Sequence, residues 1–208
     1  MRKVIPVLLL LLLVGAILFV EQGNKASLLK PLVSHVNAAA AHLLNQADAA
    51  ATNNAASTVI TGSPTVSAAF INQVLAYYHS PAGGLGQSLY HLGVQYNINP
   101  TYALAFFMHE SMFGTLGVAR VTLSLGNIRC STGYACLYGY RTYSSWASGF
   151  ADWYRLIREV YINQWHLTTI EQIVPTYAPS GDHNNVIGYI TAVEQAASTW
   201  QSGKVEVP

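Results

Sequence analysis

Charged residues are scarce in this sequence. Only 9% of its 208 residues are Asp, Glu, Lys or Arg, whereas an average soluble domain has about 25%. Between Asp48 and Asp152 the chain carries a single carboxylate, Glu110. From residue 64 onwards the basic residues are scattered and form no stripe of the kind that binds a phosphate backbone. The composition therefore predicts no nucleic-acid partner.

Cysteine is also rare, and the two that occur, Cys130 and Cys136, lie together in the segment CSTGYAC. In an oxidising compartment this pair can close a small loop, and Gly133 would help that loop to turn. Two reduced thiols are the alternative. Two cysteines without a nearby histidine fall short of the four ligands of a structural zinc site. We therefore predict a disulfide and no metal site, and nothing in the sequence implies a cofactor.

One long apolar run is present, at the N-terminus. Arg2 and Lys3 precede an uncharged segment from Val4 to Val20, which would measure about 25 Å as a helix. Basic residues before such a segment fit a secretory signal peptide or an uncleaved anchor with a cytoplasmic N-terminus. No small-x-small cleavage motif follows closely, which favours the anchor. Residues 1–21 are predicted as a signal anchor or signal peptide that directs export, so the membrane is an expected partner of this helix.

Composition divides the remainder of the chain into three parts. Residues 22–64 are rich in Ala, Asn and Thr and lack a bulky apolar stripe, which predicts a spacer that is partly helical at most. Residues 65–201 have the composition of one globular domain, and this segment is long enough to form a hydrophobic core. Residues 202–208 are predicted as a C-terminal tail.

Apolar residues recur at helical spacing throughout the globular part. They predict helices over residues 70–78, 85–97, 100–113, 146–161, 170–174 and 186–200. Pro100 suits the first position of its helix, with Asn99 as the N-cap and Gly114 beyond the end. Residues 116–143 break the pattern with several glycines and the cysteine pair, which is typical of loops and a short hairpin. The predicted fold is mainly α, with a small irregular or β-hairpin lobe.

Glu110 occupies an unusual place on the helix predicted over residues 100–113. It lies at i+7 from Ala103 and follows Phe106 and Phe107, so all four point to one buried side. Apolar surroundings raise the pKa of a carboxyl, and the negative end of the helix dipole acts in the same direction. A glutamic acid that stays protonated near neutral pH is what a general acid in glycoside cleavage requires. A solvated residue at a helix end is the alternative.

Four segments in this order carry a family resemblance: HESMFGTLG, GNIRC, GYRTYSSWASGFADWY and TYAPSGDHNNVIGYI. Together they resemble the bacterial glucosaminidase family of peptidoglycan hydrolases, over roughly Phe70 to Trp200. The resemblance implies a lysozyme-like α+β fold and a catalytic glutamate in an E-S-x-x-G-type motif. It also implies an endo-β-N-acetylglucosaminidase that cleaves the β-1,4 backbone of peptidoglycan strands. The N-terminal apolar segment predicts that this enzyme is either anchored to the membrane facing the cell wall or secreted.

Carried over position by position, the resemblance makes Glu110 the general acid and Tyr177, which opens YAP, a second active-site residue. Ser111 matches the small hydroxyl residue after the acid. The matched groove segment completes the set that the resemblance implies. Two tyrosines of the irregular lobe, which could stack on sugar rings, and a loop acid are added to the predicted substrate-binding set from the residues themselves. Its members besides Ser111 are Gly126, Asn127, Ile128, Tyr138, Tyr140 and Asp182.

A second catalytic carboxylate is not evident. Many glycosidases place one in the lobe after the acid-bearing helix, but residues 111–151 contain no Asp or Glu. Asp152, Glu159 and Asp182 follow later, and a loop acid such as Asp182 could position water. Alternatively the N-acetyl group of the substrate attacks the anomeric carbon, which needs one protein carboxylate and which related lytic transglycosylases make plausible. A catalytically inactive glycan-binding module is the rival hypothesis.

Overall fold

The computed structural model describes residues 58–208, so the predicted signal anchor and most of the predicted spacer lie outside the described residues. Within them 56% of the residues are helical and one small antiparallel sheet is present, which confirms a mainly α fold. No helix in this described part combines the length and apolarity that crossing a membrane requires.

Residues 58–208 form seven α-helices, one π-helix (Ile157–Gln164), one short 3-10 helix (Ser180–Asp182) and one hairpin. The helices are α1 (Ala68–Tyr77), α2 (Gly86–Tyr96), α3 (Pro100–Ser111), α4 (Ala119–Thr122), α5 (Trp146–Leu156), α6 (Ile170–Tyr177) and α7 (Val186–Gln201). The hairpin strands are β1 (Cys136–Leu137) and β2 (Tyr140–Arg141).

Helix α3 runs through the centre of the core. It begins as predicted, with Asn99 accepting a hydrogen bond from the Thr101 amide and with proline in its first turn. Its rings contact three other helices: Phe106 packs against aromatic residues of α5, α6 and α7, and Phe107 against two of α5. Because α3 is apolar on nearly every side, it has to be surrounded by the rest of the domain.

The end of α3 differs from the prediction. The helix stops at Ser111 rather than at Phe113, because Met112, Phe113 and Gly114 all adopt left-handed backbone conformations. The Phe113 side chain is fully buried and packs against the rings of Tyr78 and Trp200. Two left-handed residues other than glycine are unusual, and burial of this ring is the gain that offsets their strain.

Two further helix ends were predicted wrongly. Helix α5 ends at Leu156 and the chain continues as a π-helix, Ile157–Gln164, where the sequence had predicted α-helix to residue 161. Helix α6 continues through Pro175 to Tyr177, although a proline usually ends a helix. Ile173 and Val174 are fully buried, so packing outweighs the hydrogen bond that the proline removes.

The lobe after α4 contains the predicted hairpin and the predicted disulfide. Strands β1 and β2 are joined by Tyr138 and Gly139, whose φ angles of 52° and 83° are both positive. A two-residue hairpin turn of type I′ requires this geometry. Cys130 and Cys136 form a disulfide, which confirms that prediction and ties the start of the lobe to β1.

Residues 58–61, assigned above to the spacer, pack onto the domain. Ile60 has no exposed surface. Its amide donates to the Thr168 carbonyl over 3.0 Å, and its carbonyl accepts from the Asn99 amide over 2.9 Å. This short segment therefore links the N-cap of α3 to the loop before α6.

Shortening Ile60 should destabilise the domain. We expect Ile60→Ala to lower the free energy of unfolding by about 2–5 kcal/mol, because a buried side chain is replaced by a cavity. Val94→Ala is the matched control, since Val94 is 54% exposed and its truncation should change the free energy by no more than about 0.5 kcal/mol. Urea denaturation measures both. Equal losses would show that residues 58–61 do not belong to the folded domain.

Candidate active site

Glu110 lies in the wall of a pocket of about 390 Å³. This volume is within the range of small-molecule sites, about 300–1,000 Å³. The other walls come from residues 127–131, from β2, from the π-helix, and from the end of α6 with the turn after it. The last turn of a buried helix thus presents a carboxyl group to a solvent-connected pocket.

Two side chains bind the Glu110 carboxyl. The Tyr189 hydroxyl donates to Oε1 over 2.7 Å, and the Asn127 amide lies 3.4 Å from Oε2. The same Asn127 amide donates to the Glu110 backbone carbonyl over 2.7 Å and so satisfies one of the unpaired carbonyls at the helix end. Asn127 reaches this position with a left-handed backbone, φ 45°, which asparagine tolerates better than most residues.

Burial raises the pKa of the Glu110 carboxyl above its ordinary value, while the hydrogen bonds from Tyr189 and Asn127 and the charge of Arg129 act against this rise. Burial has the larger effect on the pKa, because the charged carboxylate loses more solvation free energy than its hydrogen bonds and the charge of Arg129 restore. The last-turn position, at the negative end of the helix dipole, favours the neutral acid as well. Since Oε1 is occupied by Tyr189, Oε2 is the oxygen suited to carry the proton.

Tyr189 is a site residue that the sequence did not reveal. It is only 3% exposed, its ring packs against Phe106 and His109, and burial raises its pKa well above the ordinary value. The hydroxyl therefore remains a hydrogen-bond donor. A signal did exist in the sequence: Tyr189, Val193 and Trp200 share one face of α7, and a buried tyrosine needs a polar partner.

Tyr177 lines the pocket, but its hydroxyl is engaged elsewhere. It donates to the Gly126 carbonyl and accepts from the Trp153 indole nitrogen at 3.1 Å. Among the described residues these are its hydrogen-bond partners, and the Glu110 carboxyl is not one of them. The predicted catalytic role of Tyr177 thus has no contact to support it, and the hydroxyl holds the loop at residue 126 in place.

Ser111 and Gly126 are not among the pocket-lining residues, although contact with substrate was predicted for both. Ser111 is 2% exposed; its hydroxyl donates to the Leu125 carbonyl over 2.8 Å and accepts from the Gly114 amide over 2.9 Å. Gly126 is buried against Trp153, where an added Cβ would lie 2.5 Å from the indole ring. Both residues therefore stabilise the loop beside the pocket without lining the pocket themselves.

Four of the predicted binding residues do line the pocket, namely Asn127, Ile128, Tyr140 and Asp182. Tyr138, by contrast, is 77% exposed at the hairpin turn and is not among the pocket-lining residues. The positive φ angle that the turn demands places Tyr138 at its tip. Only one of the two predicted lobe tyrosines is therefore brought to Glu110.

The three candidates for a second catalytic acid differ clearly in their position and surroundings. Asp152 is buried and bound by Arg141 over 2.8 Å and by the Tyr143 hydroxyl over 2.6 Å. Burial alone would raise the pKa of Asp152, but the hydrogen bonds from Tyr143 and Arg141 hold it below its ordinary value. Glu159 is exposed and accepts from Asn163. Of the three acids considered, Asp182 alone reaches the pocket.

Two aromatic residues on the π-helix side of the pocket were not predicted. Tyr161 and Trp165 both line it, with ring centroids 5.0 Å apart, and Trp165 is 45% exposed. Helical spacing predicted a helix up to Tyr161, but a π-helix cannot be distinguished from an α-helix by that spacing. Local π-helical turns occur frequently at functional sites.

The described pocket supplies one half-buried acid, an exposed ion pair and aromatic rings. Across residues 58–208, no group of three or more His, Cys, Asp or Glu side chains is placed to hold a metal ion. No family model matches the chain, and no curated protein matches it.

Removing the Glu110 proton-binding group should change how stability depends on pH. A carboxyl whose pKa is raised on folding, here from 4.5, stabilises the fold most below that value, and this stabilisation is lost as the pH rises through the folded pKa. Glu110→Gln keeps a hydrogen-bond acceptor for Tyr189, but its side chain does not titrate, so this loss of stability with rising pH does not occur in the variant. Its free energy of unfolding, relative to wild type, should therefore increase from about pH 4 to about pH 8.

Urea denaturation at several pH values measures this difference. Glu159→Gln, which removes an exposed carboxylate, is the control for a change of one charge. A difference between Glu110→Gln and wild type that stays constant with pH would contradict the burial of Glu110.

Gly126→Ala should destabilise the loop behind the site. The added methyl group would meet the Trp153 ring at 2.5 Å and the Tyr177 hydroxyl at 2.8 Å, and overpacking of this kind costs about 1–3 kcal/mol. Gly181→Ala is the control, because a Cβ there meets nothing within 4 Å. Thermal denaturation should show a clear loss for Gly126→Ala only. Similar melting temperatures for both would refute the close packing described here.

Proposed function

We propose that this protein is an exported peptidoglycan hydrolase with a lysozyme-like fold, and that it cleaves the β-1,4 glycan backbone as an endo-β-N-acetylglucosaminidase. The observation that carries the proposal is the Glu110 carboxyl, which is half-buried, has a raised pKa and faces a pocket of about 390 Å³. General acids in glycoside cleavage need this combination of a retained proton and access to the leaving-group oxygen.

The surroundings of Glu110 suit both states of the acid. Before the reaction, burial keeps the proton on the carboxyl, and Oε2 delivers it to the glycosidic oxygen. After proton transfer, the resulting carboxylate is stabilised by two hydrogen-bond donors that are already in place, the Tyr189 hydroxyl and the Asn127 amide. Hydrogen bonds to a charged acceptor are stronger than those to a neutral one, so these contacts gain strength as the charge develops.

The walls of the pocket suit a sugar chain. Tyr140, Tyr161 and Trp165 present rings beside polar side chains, and aromatic faces offer apolar contact area to a pyranose ring without demanding hydrogen bonds from it. Asn127 and Asn184 add amides that can bind sugar hydroxyls. This mixture of rings and amides supports a glycan as the ligand.

The second half of the reaction is assigned to the substrate. Asp152 is sequestered by two arginines and Glu159 lies away from the pocket, which leaves Asp182 as the protein alternative. The acetamido oxygen of the bound N-acetyl sugar attacks the anomeric carbon while the leaving-group oxygen takes the Glu110 proton. Water then completes hydrolysis, or an internal hydroxyl of the sugar completes a transglycosylation. Substrate assistance requires no second carboxylate from the protein.

The test is mass spectrometry of soluble muropeptides that full-length protein releases from purified peptidoglycan. Wild type should release fragments with reducing N-acetylglucosamine ends. Glu110→Gln should lower the rate by about 100-fold or more, the usual contribution of a general acid, with its helical content unchanged. Tyr138→Ala, at the exposed hairpin tip, should retain activity as the matched control.

Three other outcomes would each change the proposal. Anhydro-muramic ends would identify a lytic transglycosylase that uses the same acid. A folded Glu110→Gln variant that still solubilises cell walls would refute the role of Glu110. If folded wild type releases nothing from several wall types, a glycan-binding module should replace the enzyme.

A further inference from the structure

One buried tyrosine of the candidate site has no hydrogen-bond partner. Tyr161, on the π-helix, is 7% exposed and lines the pocket that contains Glu110, yet among the described residues no group binds its hydroxyl. Native proteins rarely leave a buried polar group unpaired. The other buried tyrosines of residues 58–208 each have a partner, namely Tyr102 with Gln201, Tyr154 with Leu89 and Tyr189 with Glu110.

The Tyr161 hydroxyl opens onto the pocket. The fully enclosed unpaired side-chain atoms of residues 58–208 are Oδ1 of Asn127 and Nε of Arg141, and the Tyr161 oxygen is not one of them. Burial raises the pKa of Tyr161 to about 12, against a smaller opposite effect of the Arg141 charge. The hydroxyl therefore keeps its proton at neutral pH and can donate it to a ligand in the pocket.

The position of Tyr161 is fixed by its neighbours. Its ring centroid lies 5.0 Å from that of Trp165, packed edge to face, and 6.1 Å from that of Tyr177. The Leu167 amide donates to the Tyr161 carbonyl over 2.8 Å where the π-helix ends. The hydroxyl is thus held in place before a ligand arrives, as a binding residue requires.

Tyr161 has the free hydroxyl that Tyr177 lacks. The sequence predicted an active-site role for Tyr177, whose hydroxyl is bound to Gly126 and Trp153. Tyr161 lies beside Tyr177 and lines the same pocket. Of these two tyrosines, Tyr161 is therefore the one able to donate a hydrogen bond to a ligand.

The surroundings of this hydroxyl indicate which chemical group it binds. Ile128, Leu156 and Ala178 line the same pocket with apolar side chains. An acetamido group combines a carbonyl oxygen, which accepts a hydrogen bond, with a methyl group, which gains from apolar contact. A plain sugar hydroxyl has no such methyl group. One donor among apolar side chains therefore favours an acetamido group as its partner.

We propose that Tyr161 recognises the acetamido group of the N-acetyl sugar bound beside Glu110, with its hydroxyl donating to the acetamido carbonyl oxygen. The inference rests on the proposed function, because it takes the ligand to be an N-acetylated glycan. A carbonyl oxygen has two lone pairs, so one can accept from Tyr161 while the other faces the anomeric carbon. The same contact thus selects the N-acetyl sugar and orients the group that attacks.

The binding test is a calorimetric titration of full-length protein in a Glu110→Gln background, which prevents cleavage. One ligand is a β-1,4-linked tetrasaccharide of N-acetylglucosamine. The other is the β-1,4-linked tetrasaccharide of glucose, which has a hydroxyl wherever the first has an acetamido group. Tyr161→Phe removes one neutral hydrogen bond and should weaken binding of the N-acetylated ligand about three- to tenfold. It should change binding of the glucose ligand less than about twofold, and Tyr138→Phe, at the hairpin tip, should change neither.

A stability measurement separates ligand binding from a structural role. Tyr161→Phe should leave the melting temperature of the free protein unchanged, because the hydroxyl makes no hydrogen bond within the described residues. Tyr154→Phe should lower it, since the hydroxyl of Tyr154 donates to the Leu89 carbonyl in the core. An equal fall in both variants would show a partner for Tyr161 inside the protein and would overturn the inference.

The remaining outcomes separate this inference from the proposed function. If wild type cleaves cell walls but Tyr161→Phe binds the N-acetylated ligand as tightly as its parent, the role of Tyr161 is overturned and the enzyme proposal stands. Equal weakening for both ligands would overturn the acetamido assignment. A loss confined to the N-acetylated ligand, in a protein that releases no products, would support the acetamido site in a glycan-binding module. Failure of the N-acetylated ligand to bind would overturn the inference, whether or not walls are cleaved.

Discussion

The hydrogen bond from Tyr189 to the Glu110 carboxyl is the contact on which the organisation of the site depends. It connects the last turn of α3 to α7, and Asn127 joins the loop of the lobe to the same carboxyl and to its backbone carbonyl. Three separate segments thus meet at one titratable group. Since each donor is directional, the carboxyl has a fixed orientation before any ligand arrives.

Much of the surrounding structure serves to hold those segments in place. Ser111 links the end of α3 to residue 125, and Tyr177 links α6 to residue 126. The loop that carries Asn127 is therefore held from two sides. Phe113, buried beyond the strained end of α3, stops the helix soon after Glu110. Strain next to a functional group, supported by firm packing, is a common arrangement in active sites.

Periodicity in the sequence predicted the positions of the long helices, and Pro100 with Asn99 predicted the start of α3. It also placed Glu110 at the edge of a buried face, and the cysteine spacing predicted the disulfide. These features depend on residues close together in the chain, where helical spacing, capping and turn chemistry act. The hairpin followed from the same local signals.

Features that depend on distant residues were missed. Tyr189 lies 79 residues from Glu110, and nothing in local spacing indicates which buried tyrosine reaches the acid. Tyr177 was assigned a catalytic role, yet its partners Gly126 and Trp153 lie in two other segments. The π-helix that brings Trp165 to the pocket is also set by packing. Distances across the fold, not residue types, decide these roles.

The most direct test of the account is a titration of Glu110 itself. Carbon-13 NMR of protein labelled at the glutamate side-chain carboxyls, with Glu110→Gln to assign the resonance, follows the protonation of this one group. The account predicts a pKa above the ordinary 4.5, because burial outweighs the donors around the carboxyl. A pKa at or below that value would show a carboxylate already ionised in the free protein at neutral pH, and would contradict the proposed role of Glu110 as a proton donor.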